Sequence, residues 1–174
     1  MRKISSILVC TLLVATAAFA QETKKPLSPP AKADATIGGK HVTIDYSAPS
    51  MRSRKIMGEL VPYGKVWRTG ANAATTLKTD GDLMIGNVHV PAGTYTLFTI
   101  PAEKEWTLII NKQTGQSGTS YDEKQDLGRV KMAVKAVPSA VETFAINLKP
   151  SGAKNGTLSL TWENTEASVP VSVH

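Results

Sequence analysis

Tyr63, Trp67, Arg68 and Asn72 fall within ten positions of the stretch LVPYGKVWRTGANAATT, residues 60–76. A guanidinium is a rigid, permanently charged donor fork suited to carboxylate or phosphate, while phenol and indole rings offer flat faces to sugars and other rings. Arg52 and Arg54 stand just upstream in PSMRSRKIMG, and Lys112 adds a further cation downstream. If residues 66–69 are extended, Trp67 and Arg68 point to opposite faces and cannot share one core. Two readings follow. In one, these seven residues bind a small polar or anionic ligand such as a saccharide or cell-envelope fragment. In the other, Trp67 fills the core, Arg68 pairs with an acid such as Asp45 or Asp82, and Asn72 satisfies turn amides.

Other chemistries fare less well. GELVPYGK, residues 58–65, places five residues between its glycines, has Val66 after the Lys, and loses an amide to Pro62. A phosphate-cradling loop has four and then Ser or Thr, so no nucleotide site is expected. GNVHVPAGTY, residues 86–95, matches part of a cupin metal motif, but Thr96 stands where that motif has a ligand His. His41, His89 and His174 are far apart in sequence, so neither a bound metal nor another cofactor is expected. The serines of GQSGTS, residues 115–120, do not complete a nucleophile elbow. Asp122, Glu123 and Asp126 in YDEKQD are the remaining acid–base candidates, with a hydrolase as the enzyme they would suit. A solvated loop or an acidic first helical turn is their structural alternative. A third function class is a non-catalytic envelope interaction protein that uses sheet edges or an apolar patch.

The elements that must position these residues read as strands. Val42, Ile44 and Tyr46 alternate with polar neighbours, as do Phe144, Ile146 and Leu148, and Leu158, Leu160 and Trp162. One apolar and one polar face per strand indicates antiparallel sheet with a wet side. Residues 94–100 and 106–111 put large apolar groups on both faces, which predicts central strands or strands lining a concavity. Gly38-Gly39, Asp80-Gly81, Gly86-Asn87 and Asn155-Gly156 are hairpin signals, and Pro91-Ala92-Gly93 is a further turn. The pattern predicts an all-β antiparallel β-sandwich or jelly-roll-like domain of about nine strands, with short helical turns near residues 53–60 and 122–127.

The first twenty residues combine Arg2 and Lys3 with an apolar run and a small-residue pattern at Ala18 and Ala20. They read as a signal peptide cut after Ala20, which predicts a periplasmic or secreted protein. No segment reaches the ~20 apolar residues of a membrane span, so none is expected after cleavage. Cys10 is the only cysteine, which leaves the mature chain without disulfides or thiolate chemistry. Residues 21–35 hold prolines and lysines with Leu27 as their one large apolar group, and read as a flexible linker before a single domain at 36–174. The net charge of +6 is dispersed and aromatics are only 6%, so nucleic acid is not an expected partner. Oligomeric state has no signal.

The blocks YSAPSMRSRKIMGELVPYGKVWRTGANAATT and VPAGTYTLFTIPAEKEWTLIINKQTGQSGTSYDEKQD closely resemble a bacterial family of exported proteins known as domain of unknown function family 2911. The resemblance covers residues 36–162 and implies an exported all-β domain with no established reaction. Its typical positions match Arg52 and Arg54; Pro62, Tyr63, Trp67, Arg68, Gly70 and Asn72; and Lys112 with Tyr121 and Asp126. Ala73 stands where many relatives have an acidic residue, so an activity requiring that carboxylate would be absent here.

Overall fold

The computed structural model describes residues 26–173. Nine strands among them form one antiparallel sheet: β1 (Pro30–Ile37), β2 (Lys40–Ser47), β3 (Thr75–Thr79), β4 (Leu83–Ile85), β5 (Val88–Val90), β6 (Gly93–Ile100), β7 (Glu105–Asn111), β8 (Asp126–Ser151) and β9 (Asn155–Ser172). Their order across the sheet is β1-β2-β3-β6-β7-β8-β9-β4-β5. The only helical element described is a 3-10 turn, Glu123–Gln125. The all-β expectation holds, and the strands alternate as their side chains require.

One bent hairpin turns this single sheet into a two-layered body. Ala136 opposes Thr165 and Ala145 opposes Thr161, so the β8 side of the bend is the longer one. A bulge of this kind kinks the ladder without ending it. Glu163, at φ 52°, lies on the β9 side of the same bend. Before it Leu158, Leu160 and Trp162 face inward; after it Ala167, Val169 and Val171 do. The parity change lets both arms of β9 bury their apolar residues in one core. The fold-over brings β8 against β1, which is distant from it in the strand order.

The expected linker at 21–35 overlaps the first strand. Residues 30–35 belong to β1, paired with β2 from Pro30–Ser47 to Ile37–Lys40. Ala33, Ala35 and Ile37 alternate inward and are buried. Small side chains suffice because a complete backbone ladder and close packing offset the ordering entropy that large apolar groups would otherwise have to offset. The expected signal peptide and residues 21–25 lie outside the described residues.

Turn chemistry was partly displaced. Gly38-Gly39 and Gly86-Asn87 do close the β1–β2 and β4–β5 hairpins. Asn155 and Gly156 instead lie within β9, and the β8–β9 turn uses Gly152, at φ 70°. Asp80-Gly81 links β3 to β4, which are not sheet neighbours. Residues 53–60 form turns without a helix.

β6 and β7 sit in the middle of the sheet and are buried on both sides. Leu97, Trp106, Leu108 and Ile110 enter the main core, while Phe98 and Ile109 pair on the opposite face. At the end of the main core Trp67, Trp106, Phe144 and Trp162 form an aromatic cluster. Trp67 stacks on Trp162 at 5.9 Å and 18° and meets Phe144 edge-on at 5.0 Å. Phe144 touches Tyr46, Trp67 and Trp162 and is fully buried. Truncation to Phe144→Ala should therefore destabilise the protein by about 3–5 kcal/mol, read as a lower urea midpoint.

Candidate functional site

Trp67 is fixed by its backbone before its side chain is considered. Its amide donates to the Thr99 carbonyl at 2.7 Å, and its carbonyl accepts from the Thr99 amide at 2.9 Å. This one bridge extends the sheet beyond β3 alongside β6. With Trp67 directed into the aromatic cluster, alternation sends Arg68 outward. Thr69, at φ 56°, then turns the chain; its hydroxyl meets that of Thr99 at 3.1 Å, and its carbonyl accepts from Thr75 Oγ1 at 2.8 Å.

Arg68 lies over Gly118. A Cβ at position 118 would stand 2.7 Å from the Asn72 carbonyl oxygen and 3.0 Å from Arg68 Cδ, so the glycine leaves the space the arginine stem occupies. The Ala73–Ser117 bridge holds the two loops together there. Ala73 is thus part of this loop contact.

Two cavities meet at this point. The smaller, about 210 Å³, is lined by Arg52, Arg54 and Arg68 together with Trp67, Trp162 and Ser28. The larger, about 320 Å³, is lined by Val66, Phe98, Thr119 and Tyr121 on its far side. Leu60, Trp67 and Arg68 border both. No carboxylate lines either one. Arg52 and Arg68 make no ion pair and no side-chain hydrogen bond among the described residues, whereas Arg54 is tied by Nε to the Met51 carbonyl and by Nη2 to the Ser50 carbonyl. The acids suggested for Arg68 are engaged elsewhere: Asp45 with Lys32 and Lys78, and Asp82 with His89. Pairing of Arg68 with either is therefore corrected.

The acids near the smaller cavity bind backbone instead of guanidinium. Glu142 accepts from the Arg52 amide at 2.8 Å, and Glu163 accepts from the Ile56 and Met57 amides at 3.3 and 3.0 Å. Among the described residues, the non-glycine residues with positive φ are Arg52, Ser53, Thr69, Asn72 and Glu163. Each lines the smaller cavity or directly adjoins a residue that does. Such conformations cost of order 1 kcal/mol or more apiece and persist only where surrounding contacts fix them.

The sequence-predicted residues thus divide. Arg52, Arg54, Trp67 and Arg68 share one cavity. Tyr63 is exposed beside Gly58, Asn72 donates to the Ser28 carbonyl, and Lys112 follows β7; none of the three lines either cavity. Trp162, Leu60, Phe98 and Gly118 were not singled out, because each lies on a strand or loop whose convergence here depends on tertiary structure. Only the paired faces of β6 pointed to Phe98.

The YDEKQD carboxylates are held by structural partners. Asp122 caps the 3-10 turn by accepting from the Lys124 amide. Glu123 and Asp126 pair with Arg129, and Asp126 also accepts from Asn111 and from the Tyr121 hydroxyl. The geometry lends no support to an acid–base role for them.

Burial, reinforced by the Asp126 hydrogen bond, pushes the Tyr121 hydroxyl up to about 12.

The fold and cavities define an all-β protein with a cationic recess at one end of a folded-over sheet. The chain belongs to a family described as "Protein of unknown function (DUF2911)", matched over residues 28–171. No curated protein and no solved structure matches it.

Two outcomes follow from these contacts. Removing the Glu163 side chain leaves two loop amides without their acceptor, so Glu163→Ala should cost about 1–3 kcal/mol and speed hydrogen exchange at Ile56 and Met57. For Tyr121, the folded value of about 12 exceeds the ordinary value of 10.0. Its stabilising contribution is complete below pH 10 and declines towards pH 12, because only the unfolded chain has then lost the proton. Urea denaturation across that range should show a shallower fall for Tyr121→Phe than for the natural protein.

Proposed function

We propose that this protein is an exported, periplasmic or secreted binding protein whose ligand is a small anion seated between Arg52, Arg54 and Arg68. The observation that carries this reading is that three arginines, and no carboxylate, line one recess. Guanidinium forks bind carboxylate and phosphate through paired, charge-assisted hydrogen bonds. Neutral sugar hydroxyls need acceptors as well as donors, and the lining side chains provide the Ser28 hydroxyl but no carboxylate or amide. Anionic cell-envelope fragments, including acidic saccharides, therefore fit better than neutral sugars. Trp67 has one face stacked on Trp162, so it serves as a wall and not as an open sugar platform.

Like charges grouped with no carboxylate paired to their side chains are poorly placed for stability alone and well placed for an incoming anion. Calorimetric titration with phosphate, sulfate and citrate tests the reading. Binding of at least one anion should weaken as salt is raised, and Arg52→Ala and Arg68→Ala should each lower its affinity about 10- to 100-fold. Neither substitution should lower unfolding free energy by more than about 0.5 kcal/mol, because neither side chain has an acidic partner to lose. Absence of binding by all three anions, or affinities indifferent to both substitutions, would refute the site.

A further inference from the structure

We infer that the ligand is an amphiphile, with its anionic group in the arginine recess and an apolar portion running into the larger cavity. This inference rests on the anion-binding reading and specifies the rest of the molecule. The two cavities are continuous in their walls: Leu60, Trp67 and Arg68 belong to both. Beyond Arg68 the lining is mixed: Leu60, Pro62, Val66 and Phe98 form its apolar part, with Lys65 and Thr119 at its polar part. The Tyr121 hydroxyl is already committed to Asp126 and Arg129, which leaves its ring as the part available to a neighbour.

The surface around the recess carries the same signal. The exposed large hydrophobic residues among the described ones are Leu27, Leu60, Tyr63 and Val66. Leu60 and Val66 line the larger cavity, Tyr63 lies between them in sequence, and Leu27 precedes the Ser28 that lines the smaller one. Scattered exposed apolar side chains are ordinary, but here they all belong to the segments that edge a cationic recess. A free inorganic ion would use the arginines and leave this apolar surface wet. An alkyl or aryl phosphate or carboxylate would cover it and gain the associated hydrophobic free energy.

A soluble amphiphile and a lipid headgroup share this chemistry, and the test separates them. Tryptophan fluorescence is the readout because Trp67 borders both cavities. The protein is titrated with inorganic phosphate and with monomeric butyl phosphate, then mixed with phosphatidylcholine vesicles with and without phosphatidylglycerol. Butyl phosphate should bind at least about tenfold more tightly than phosphate, since each fully buried methylene raises affinity about fourfold. Val66→Ser and Phe98→Ser should narrow that ratio; a lowered unfolding midpoint for the buried Phe98 variant would leave the exposed Val66 variant as the deciding one. Sedimentation with the phosphatidylglycerol vesicles alone would assign the lipid source, and butyl phosphate binding without it the soluble source. Equal affinity for phosphate and butyl phosphate would overturn the inference and leave the anion site standing. Failure of both to bind, with no anion binding in calorimetry, would remove the two together.

Discussion

A single pair of backbone hydrogen bonds, between Trp67 and Thr99, governs the geometry of the recess. It fixes the strand direction of residues 66–68, and with direction fixed the alternation of side chains is no longer free. The indole gains the aromatic cluster, so the next residue must face the other way. Exchanging their roles would bury a guanidinium among Trp106, Phe144 and Trp162, where no acid is available, and an unpaired buried charge is among the most costly defects a core can hold. The hydrophobic effect thus places a cation outside the core without contacting it. Thr69 continues the same logic: its left-handed turn is secured by hydroxyl contacts to Thr99 and Thr75, which return the chain to β3.

Carboxylates are present nearby, and their placement explains why the arginines remain available. Glu142 and Glu163 accept from backbone amides of the loop that carries Arg52 and Arg54. With their oxygens on amides, these two side chains occupy none of the guanidinium donors of the recess. The loop carrying Arg52 and Arg54 is accordingly held from beneath by acids while its cations face the cavity. Arg54 is braced by two carbonyls, and Arg52 has only its backbone secured. The recess therefore combines one arginine bonded through its side chain with two whose side chains make no hydrogen bond among the described residues.

Fold class was legible because alternation over residues 42–46 and 158–162 leaves little room for another periodicity. Strand continuity was not. The alternation of Phe144, Ile146 and Leu148 covers only one arm of β8, and no side-chain pattern distinguishes a bulge from a break in the ladder. Glu163 carries no compositional sign of a left-handed residue, since glycine or asparagine would be the expected occupant. β1 was hidden by alanines, whose burial becomes meaningful only once β2 lies beside them. For the site, opposite facing of Trp67 and Arg68 followed from spacing alone. Proximity in sequence misled for Tyr63 and Asn72, because a turn separates each from the wall: Tyr63 covers Gly58, and Asn72 ties down the incoming chain at Ser28.

Strain supplies an independent line of argument about this end of the molecule. A sequence free to optimise stability would place glycine or asparagine at left-handed positions, as it does at Gly38, Gly58 and Gly86. Around the recess, beside Gly70 and Asn72, it has Arg52, Ser53, Thr69 and Glu163 at positive φ. Three of these four have a second task that glycine could not perform. Arg52 presents a cation, Thr69 bonds Thr99, and Glu163 gathers two amides at the bend of β9. Glycine at 52 would ease the backbone and remove one of the three cations; glycine at 163 would ease it and release Ile56 and Met57, which follow Arg52 and Arg54 in the same loop. The conformational cost is thus coupled to the cationic wall, because the side chains that make the backbone unfavourable are those that build or brace it.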